Sequence, residues 1–307
     1  MKITCCLLTF FFVVLFSTFA NSKVALVIGN SQYKADPLSN PANDADDISQ
    51  LLRSINFDVI KRKDVNKEGF IKALRLFSDK LKSSEVGLFY FAGHGIQVNG
   101  TNYLIPIDVK VDDESDIEFE AVNVGRVISK MESARNKLNI IILDACRENP
   151  FKRSFRGFSR GLAKMDAPKG TIISYATSPG SYASDGNGRN GLFTKHLLSS
   201  MRRADLDIQS VFNETGLKVM AETGDIQVPW ISSSPLPPFF LHSNYKQQSQ
   251  KIINLKKNTK NSIVVEKKKD EYHKKQGNLP DSIATKIFNC HFTQWKPDEN
   301  KKMLAII

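Results

Sequence analysis

The stretch that decides the fold is residues 86–95, which have the sequence VGLFYFAGHG. A continuous apolar run, Val86–Phe91, leads there into a histidine flanked by two glycines. Short runs rich in β-branched and aromatic residues are typical of strands that are buried on both faces. We therefore predict a strand of a parallel sheet, with His94 just beyond its carboxyl end.

The rest of the first 220 residues repeats this pattern of buried strand and amphipathic helix. Four further apolar runs are Val24–Ile28, Phe57–Ile60, Leu138–Leu143 and Thr171–Ala176. Helical spacing of apolar residues is found at 45–55, 70–81, 124–131, 197–201 and 208–215. The alternation predicts an α/β fold with a mostly parallel sheet and helices on both faces. A short strand pair around Tyr103–Ile107 is expected as an addition at the sheet edge.

The composition is that of a globular protein with a basic tail. Among 307 residues, 41% are hydrophobic and 24% are charged, which excludes a wholly disordered chain, a collagen and a polytopic membrane protein. The formal charge is +11, but residues 244–307 contain 14 lysines and no arginine against six acidic residues. Most of the excess thus belongs to the tail, and we expect no nucleic-acid partner. Binding of nucleic acid or membrane through the tail is the alternative.

The first 20 residues have the pattern of a secretory signal peptide. Lys2 precedes an apolar run from Ile3 to Phe16, which is shorter than the ~20 residues of a membrane span. We expect cleavage after Ala20, export to the periplasm or medium, and no stable membrane span afterwards. An uncleaved anchor is the alternative. The predicted domains are an α/β domain at 23–241 and a lysine-rich linker and tail at 242–307.

Potentially reactive side chains follow several of the predicted strands. Carboxyl ends of parallel strands share one sheet edge, where binding sites of such folds form. His94 and Cys146 come to that edge, and an imidazole beside a thiol forms a nucleophilic pair. The amide groups of Gly95 and Cys146 are candidate oxyanion donors. The structural alternative is that Cys146 is a packing residue or pairs with Cys290, the other cysteine outside the leader.

These motifs resemble the caspase–metacaspase family, and its bacterial members in particular. The resemblance rests on residues 90–95 (YFAGHG) and 143–147 (LDACR), with His94 preceding Cys146 by 52 residues. It extends over roughly residues 23–241. It implies a cysteine endopeptidase that works through a thioester acyl-enzyme, with His94 as general base and acid and Cys146 as nucleophile. The expected partner is a protein or peptide substrate.

Three aspartates indicate the specificity of the predicted pocket. Asp144 stands where caspases have glutamine, Asp44 matches an acidic pocket position of metacaspases, and Asp185 falls near a pocket arginine of caspases. Carboxylates in a partly desolvated pocket favour Arg or Lys before the cut. The alternative for Asp44 is a charge that complements the dipole of its own helix.

The sequence also gives expectations about metal binding and self-cleavage. We expect no cofactor and no metal ligands, although many metacaspases need calcium and residues 112–120 are rich in carboxylates, which hard cations prefer. The basic segment at 151–169 suggests self-cleavage as a hypothesis, with a solvated loop as the alternative. The alternative function is a caspase-like scaffold that binds partners and has little proteolytic activity. The sequence does not determine the oligomeric state.

Overall fold

The computed structural model describes residues 22–145, 161–179, 181, 183, 186 and 188–242. Within these residues the strands are β1 (Lys23–Gly29), β2 (Phe57–Lys63), β3 (Val86–Ala92), β4 (Gly95–Val98), β5 (Thr101–Leu104), β6 (Val122–Asn123), β7 (Leu138–Asp144), β8 (Thr171–Tyr175) and β9 (Trp230–Ser233). The helices are α1 (Pro41–Ser54), α2 (Lys67–Leu81), α3 (Asp116–Glu120), α4 (Val124–Ser133), α5 (Leu192–Met201) and α6 (Ile208–Thr223).

Six strands form the main sheet, in the order β2-β1-β3-β7-β8-β9. The first five are parallel, and β9 is antiparallel to β8. The register aligns Gly29 with Ala92 and Ala92 with Asp144, so three strands end level with one another. This alignment brings the segments after β1, β3 and β7 to a common edge, as the sequence predicts.

The central strands are covered on both faces. Every residue of β1, β3, β7 and β8 is buried, which requires a helical layer on each side of the sheet. α1 packs against α5 and α5 against α6, whereas α2 packs against α4. The five predicted parallel strands and the five predicted helical segments are all present. The α/β fold with a mostly parallel sheet is thereby confirmed.

The helix starts follow the local chemistry of the sequence. α1 begins at Pro41, which needs no hydrogen-bond partner for its nitrogen. The hydroxyl of Ser31, rather than the Asn40 side chain, accepts the hydrogen bond of the Ala42 amide. The Asn66 side chain caps α2, and the Asp207 side chain caps α6. These caps fix the loops that lead from the sheet into the helices.

The structure departs from the sequence expectations in its short strands. The predicted pair around Tyr103–Ile107 is a separate three-stranded sheet, β4-β5-β6, and its first hairpin turns at Asn99 and Gly100, which both have positive φ. Phe240 forms an isolated bridge with Asp207. The last strand of the main sheet is β9, which the sequence does not predict. β9 has only four residues, WISS, and is partly exposed, so it lacks the continuous apolar run that marks the other strands of the main sheet.

Candidate functional site

Backbone contacts of three neighbouring segments hold the glycine-flanked His94. The amide of Gly93 donates to the carbonyl of Asp144 at 3.2 Å, and the amide of His94 donates to the Tyr33 hydroxyl at 3.0 Å. The Tyr33 hydroxyl in turn donates to the carbonyl of Ile105 at 3.0 Å. The turn after β3 is therefore fixed by the loop after β1, by the end of β7 and by the segment after β5.

Both glycines beside His94 are required by close approaches. A Cβ on Gly93, whose φ is +152°, would lie 2.5 Å from the Tyr33 hydroxyl. A Cβ on Gly95 would lie 2.6 Å from the carbonyl oxygen of Ala145. A side chain at either position would push these segments apart. The two glycines therefore let the segments that contain Tyr33 and Ala145 approach the turn at His94 closely.

The imidazole of His94 is buried, and residues of the loop after β1 contact it. Its Nε2 lies 2.7 Å from the carbonyl oxygen of Asp36 and 3.6 Å from the Asp36 carboxylate. The Tyr33 ring packs on it with a centroid distance of 4.4 Å. Because a carbonyl oxygen can only accept a hydrogen bond, Nε2 carries the proton of the neutral ring. Nδ1 is then the basic nitrogen. Tyr33 and Asp36 were not predicted as site residues, because their only sequence signal is a position after β1.

Cys146 lies outside the described residues. Ala145, the residue before it, is fully buried, and its carbonyl oxygen lies 2.6 Å from the place that a Cβ on Gly95 would take. The residue that follows β7 thus packs closely against the glycine that follows His94.

The amide of Gly95 is oriented away from the hairpin. Across the β4-β5 pair the Ile105 amide donates to the His94 carbonyl, and Gly95 faces Leu104. This is the pattern of a non-hydrogen-bonded pair, in which the N–H of Gly95 points away from β5. The amide is thus directed out of the small sheet rather than into its ladder.

Two of the three candidate pocket aspartates, Asp44 of α1 and Asp144 of β7, contact the start of α5. Oδ1 of Asp44 accepts the Gly191 amide at 3.0 Å, and Oδ2 of Asp144 accepts the Thr194 hydroxyl at 2.8 Å. The Tyr90 hydroxyl lies 2.6 Å from the same Thr194 hydroxyl. Both aspartates are buried. Asp185, the third candidate, lies outside the described residues.

The segment before α5 is also fastened to α1. Arg189 makes a bidentate ion pair with Asp47, in which both nitrogen–oxygen distances are 2.9 Å. The side-chain amide of Asn190 donates to the same carboxylate at 2.9 Å. The side-chain amide of Asn43 donates to the Arg189 carbonyl at 3.2 Å. The hydrogen bond from Arg189 lowers the pKa of Asp47 and raises that of Arg189. Asn43 and Asp47 are four residues apart on α1, so their side chains share one face of the helix. This spacing is the sequence signal that could have identified them as a pair.

The second half of the basic segment 151–169 is pinned to the body of the protein. Asn102 and Ala163 exchange two hydrogen bonds of 2.7 Å, and the Met165 amide donates to the Tyr175 hydroxyl at 3.2 Å. Lys164 and Lys169 are exposed. The other basic side chains of the segment, Lys152, Arg153, Arg156 and Arg160, lie outside the described residues.

The first half of the acidic run at 112–120 forms hydrogen bonds within its own turn. Oδ2 of Asp116 accepts the amides of Asp112 and Asp113, and Oδ1 of Asp113 accepts the Ser115 hydroxyl. Over the described parts of the chain, no group of three or more His, Cys, Asp or Glu residues could hold a metal ion. In the same parts, no helix has the length and apolarity to cross a membrane.

Comparison with known proteins assigns this arrangement to a family. A family profile described as "Caspase domain" matches residues 22–240. The chain belongs to the caspase-domain family. Homologues in this family are cysteine peptidases, and the match runs from the start of β1 to the bridge at Phe240.

Curated relatives cover part of this caspase domain. The chain is 30% identical over 185 residues to the human mucosa-associated lymphoid tissue lymphoma translocation protein 1, and equally to its mouse homolog. The aligned region is 58% of this chain and 21% of each relative, so the chain spans about a fifth of their length.

A solved structure shows the same fold. The Drosophila initiator caspase Dronc superposes with a TM-score of 0.53 at 15% identity, covering 72% of this chain and 83% of that one. The likeness confirms the caspase-like architecture that the motifs predict.

Proposed function

We propose that this protein is a cysteine endopeptidase that hydrolyses peptide bonds after Arg or Lys. Cys146 is the nucleophile, and His94 is the general base and acid. The observation that carries the proposal is the 2.7 Å contact between Nε2 of His94 and the Asp36 carbonyl. It fixes the ring and leaves Nδ1 as the atom that exchanges the proton, which a catalytic base requires.

The proposed reaction has two halves. Nδ1 of His94 takes the thiol proton of Cys146, and the thiolate attacks the scissile carbonyl carbon. The amides of Gly95 and Cys146 donate to the resulting oxyanion. When the C–N bond breaks, the proton on Nδ1 passes to the leaving amine, and the acyl group remains as a thioester. A water molecule, deprotonated by His94, then attacks the thioester and releases the carboxylic acid and the free thiol.

The preference for Arg or Lys rests on the charge of the cleft. Asp44 and Asp144 bring two carboxylates to the first turn of α5, and Asp185 is the third candidate. A substrate carboxylate would meet like charges in a poorly hydrated site, whereas a guanidinium forms charge-assisted and bidentate hydrogen bonds. Buried carboxylates at the α5 start also support α5 itself, and the two roles are compatible.

Covalent labelling tests the nucleophile and the pocket together. Peptidyl acyloxymethyl ketones that differ only in Arg or Asp next to the warhead are incubated with the protein, and peptide mapping locates the adduct. The proposal predicts that the Arg probe labels Cys146 and that His94→Ala slows the labelling. Equal labelling by both probes contradicts the pocket. No labelling of folded protein favours a caspase-like scaffold that binds partners without cleaving them.

Export and self-cleavage complete the proposal. Removal of residues 1–20 predicts a mature chain that begins at Asn21, in the periplasm or outside the cell. Cleavage within residues 151–169 after Lys or Arg predicts a second new N-terminus in active preparations. Sequencing of the N-termini tests both. A mature chain that still begins at Met1 contradicts export with cleavage, and an uncut active chain contradicts self-cleavage.

A further inference from the structure

The ion pair between Asp47 and Arg189 joins two parts of the proposed cleft that are far apart in sequence. Asp47 lies on α1, one helical turn beyond Asp44. Arg189 lies two residues before Gly191, whose amide binds Asp44. The pair therefore acts on the same segment as the candidate pocket carboxylate, but it lies outside the buried centre: the Arg189 side chain is 60% exposed and that of Asp47 is 20% exposed.

We propose that Asp47 and Arg189 are positioning residues for substrate binding, acting as a latch that holds residues 189–191 against α1. The latch consists of the bidentate Asp47–Arg189 pair with the supporting contacts of Asn190 and Asn43. It rests on the proposed function, because the cleft that it positions is the Arg/Lys pocket proposed above. It adds a set of residues that set the shape of that pocket without touching the substrate.

The geometry explains why the latch affects the pocket. Gly191, the N-cap of α5, has no side chain with which to cap the helix. Its amide is instead held by Asp44, and Thr194 of the first turn is held by Asp144. When residues 189–191 move away from α1, the hydrogen bond between Asp44 and the Gly191 amide is lost. The start of α5 then no longer holds the two carboxylates in their positions. A pocket that depends on bidentate geometry is sensitive to such shifts.

The latch is more rigid than an ordinary ion pair at the protein surface. Isolated surface pairs of long side chains contribute little, because the side chains must be ordered. Here the planar guanidinium makes two parallel contacts, and a second donor, Asn190, shares the carboxylate. The main chain of Arg189 is also fixed to α1, because its carbonyl accepts a hydrogen bond from the Asn43 side chain. The four contacts leave residues 189–191 little freedom to move.

The test compares Asp47→Asn, Arg189→Gln and the charge swap Asp47→Arg with Arg189→Asp in the full-length chain. On an arginine peptide, each single variant is expected to raise KM about fivefold with kcat nearly unchanged. The swap is expected to restore part of the loss, because it restores the ion pair but leaves the Asn190 side chain without its carboxylate acceptor. Lys137→Gln is the matched control, because its 2.6 Å pair with Glu85 has similar exposure and lies at the opposite edge of the sheet. It should leave KM unchanged.

Amide hydrogen exchange provides a readout that does not need activity. In Asp47→Asn, exchange at the Gly191 amide is expected to quicken by a similar factor, while Lys137→Gln leaves it unchanged. If exchange and KM are both unchanged in Asp47→Asn, the latch is overturned. Faster exchange with unchanged KM overturns its role in substrate binding. If the wild type cleaves no Arg or Lys peptide, the proposed function is overturned, and the exchange measurement still decides whether the latch exists.

Discussion

The hydroxyl of Thr194 donates a hydrogen bond to Asp144 across 2.8 Å, and both residues are buried. Since its single proton goes to the carboxylate, the Tyr90 hydroxyl at 2.6 Å must donate to Thr194. The three side chains come from β3, α5 and the end of β7. They form a short relay that fixes the orientation of a carboxylate two residues before Cys146.

The relay predicts a large stability effect for a small change. Thr194→Val keeps the shape but removes the hydroxyl that serves both Asp144 and Tyr90. We expect a loss of about 1–3 kcal/mol in the free energy of unfolding, because two buried polar groups lose a partner. Denaturant unfolding measures it. Thr215→Val is the control, since the Thr215 hydroxyl bonds a carbonyl of its own helix. Equal losses in the two variants would contradict the relay.

Gly95 is expected to tolerate no side chain. Gly95→Ala places a Cβ 2.6 Å from the Ala145 carbonyl oxygen and displaces the residue before Cys146. We expect kcat/KM to fall about 100-fold, as for other ångström-scale displacements of reacting groups. Steady-state kinetics with circular dichroism separates this from unfolding. Gly216→Ala, in a helix with 3.9 Å of clearance, should stay active and gain up to about 1 kcal/mol in stability. A fully active Gly95→Ala would refute the close approach.

The latch predicts a pH dependence of stability. The hydrogen bond from Arg189 lowers the pKa of Asp47 in the folded protein. A depressed folded pKa contributes stability above the unfolded value of about 3.9, and the contribution is lost as the pH falls through the folded value. The stability difference between wild type and Asp47→Asn should therefore be full at pH 7 and shrink below about pH 4. Urea unfolding at several pH values measures it, and a constant difference would contradict the latch.

Activity is predicted to be independent of calcium. At the start of α3, the carboxylate of Asp116 accepts hydrogen bonds from the backbone amides of Asp112 and Asp113. The carboxylate of Asp113 accepts hydrogen bonds from the amide and the hydroxyl of Ser115. We expect a calcium chelator such as EGTA to leave the rate of peptide hydrolysis unchanged within about twofold, because the acidic run already has protein donors. Loss of activity in the chelator, restored by added calcium, would contradict this prediction.

The main sheet is predictable because its strands carry their own signal. β1, β3 and β7 are short apolar runs rich in β-branched and aromatic residues, which are typical of strands covered on both faces. The β4-β5 hairpin was predicted only in part, although Asn99-Gly100 is a strong two-residue turn signal. β9 was missed because the strand has only four residues, WISS, of which two are serines, and because it is partly exposed at the sheet edge.

The site was predictable to the extent that it lies in contiguous motifs. The sheet order places the segments of His94, Asp44 and Asp144 at one edge, as expected from the parallel topology. The contacts of Tyr33 and Asp36 with His94 join residues about 60 apart in sequence, and the Asp47–Arg189 pair joins residues 142 apart. Such pairings depend on the final packing of loops, for which a single sequence carries no periodic signal.

The central claim is tested most directly by hydrolysis of fluorogenic peptides that are matched except for Arg, Lys or Asp before the scissile bond. Wild type and Cys146→Ala are compared at equal concentration, after both are shown to be folded. The account predicts cleavage after Arg and Lys by the wild type, little or none after Asp, and none by Cys146→Ala. Cleavage that persists in Cys146→Ala, or cleavage after Asp alone, would contradict it.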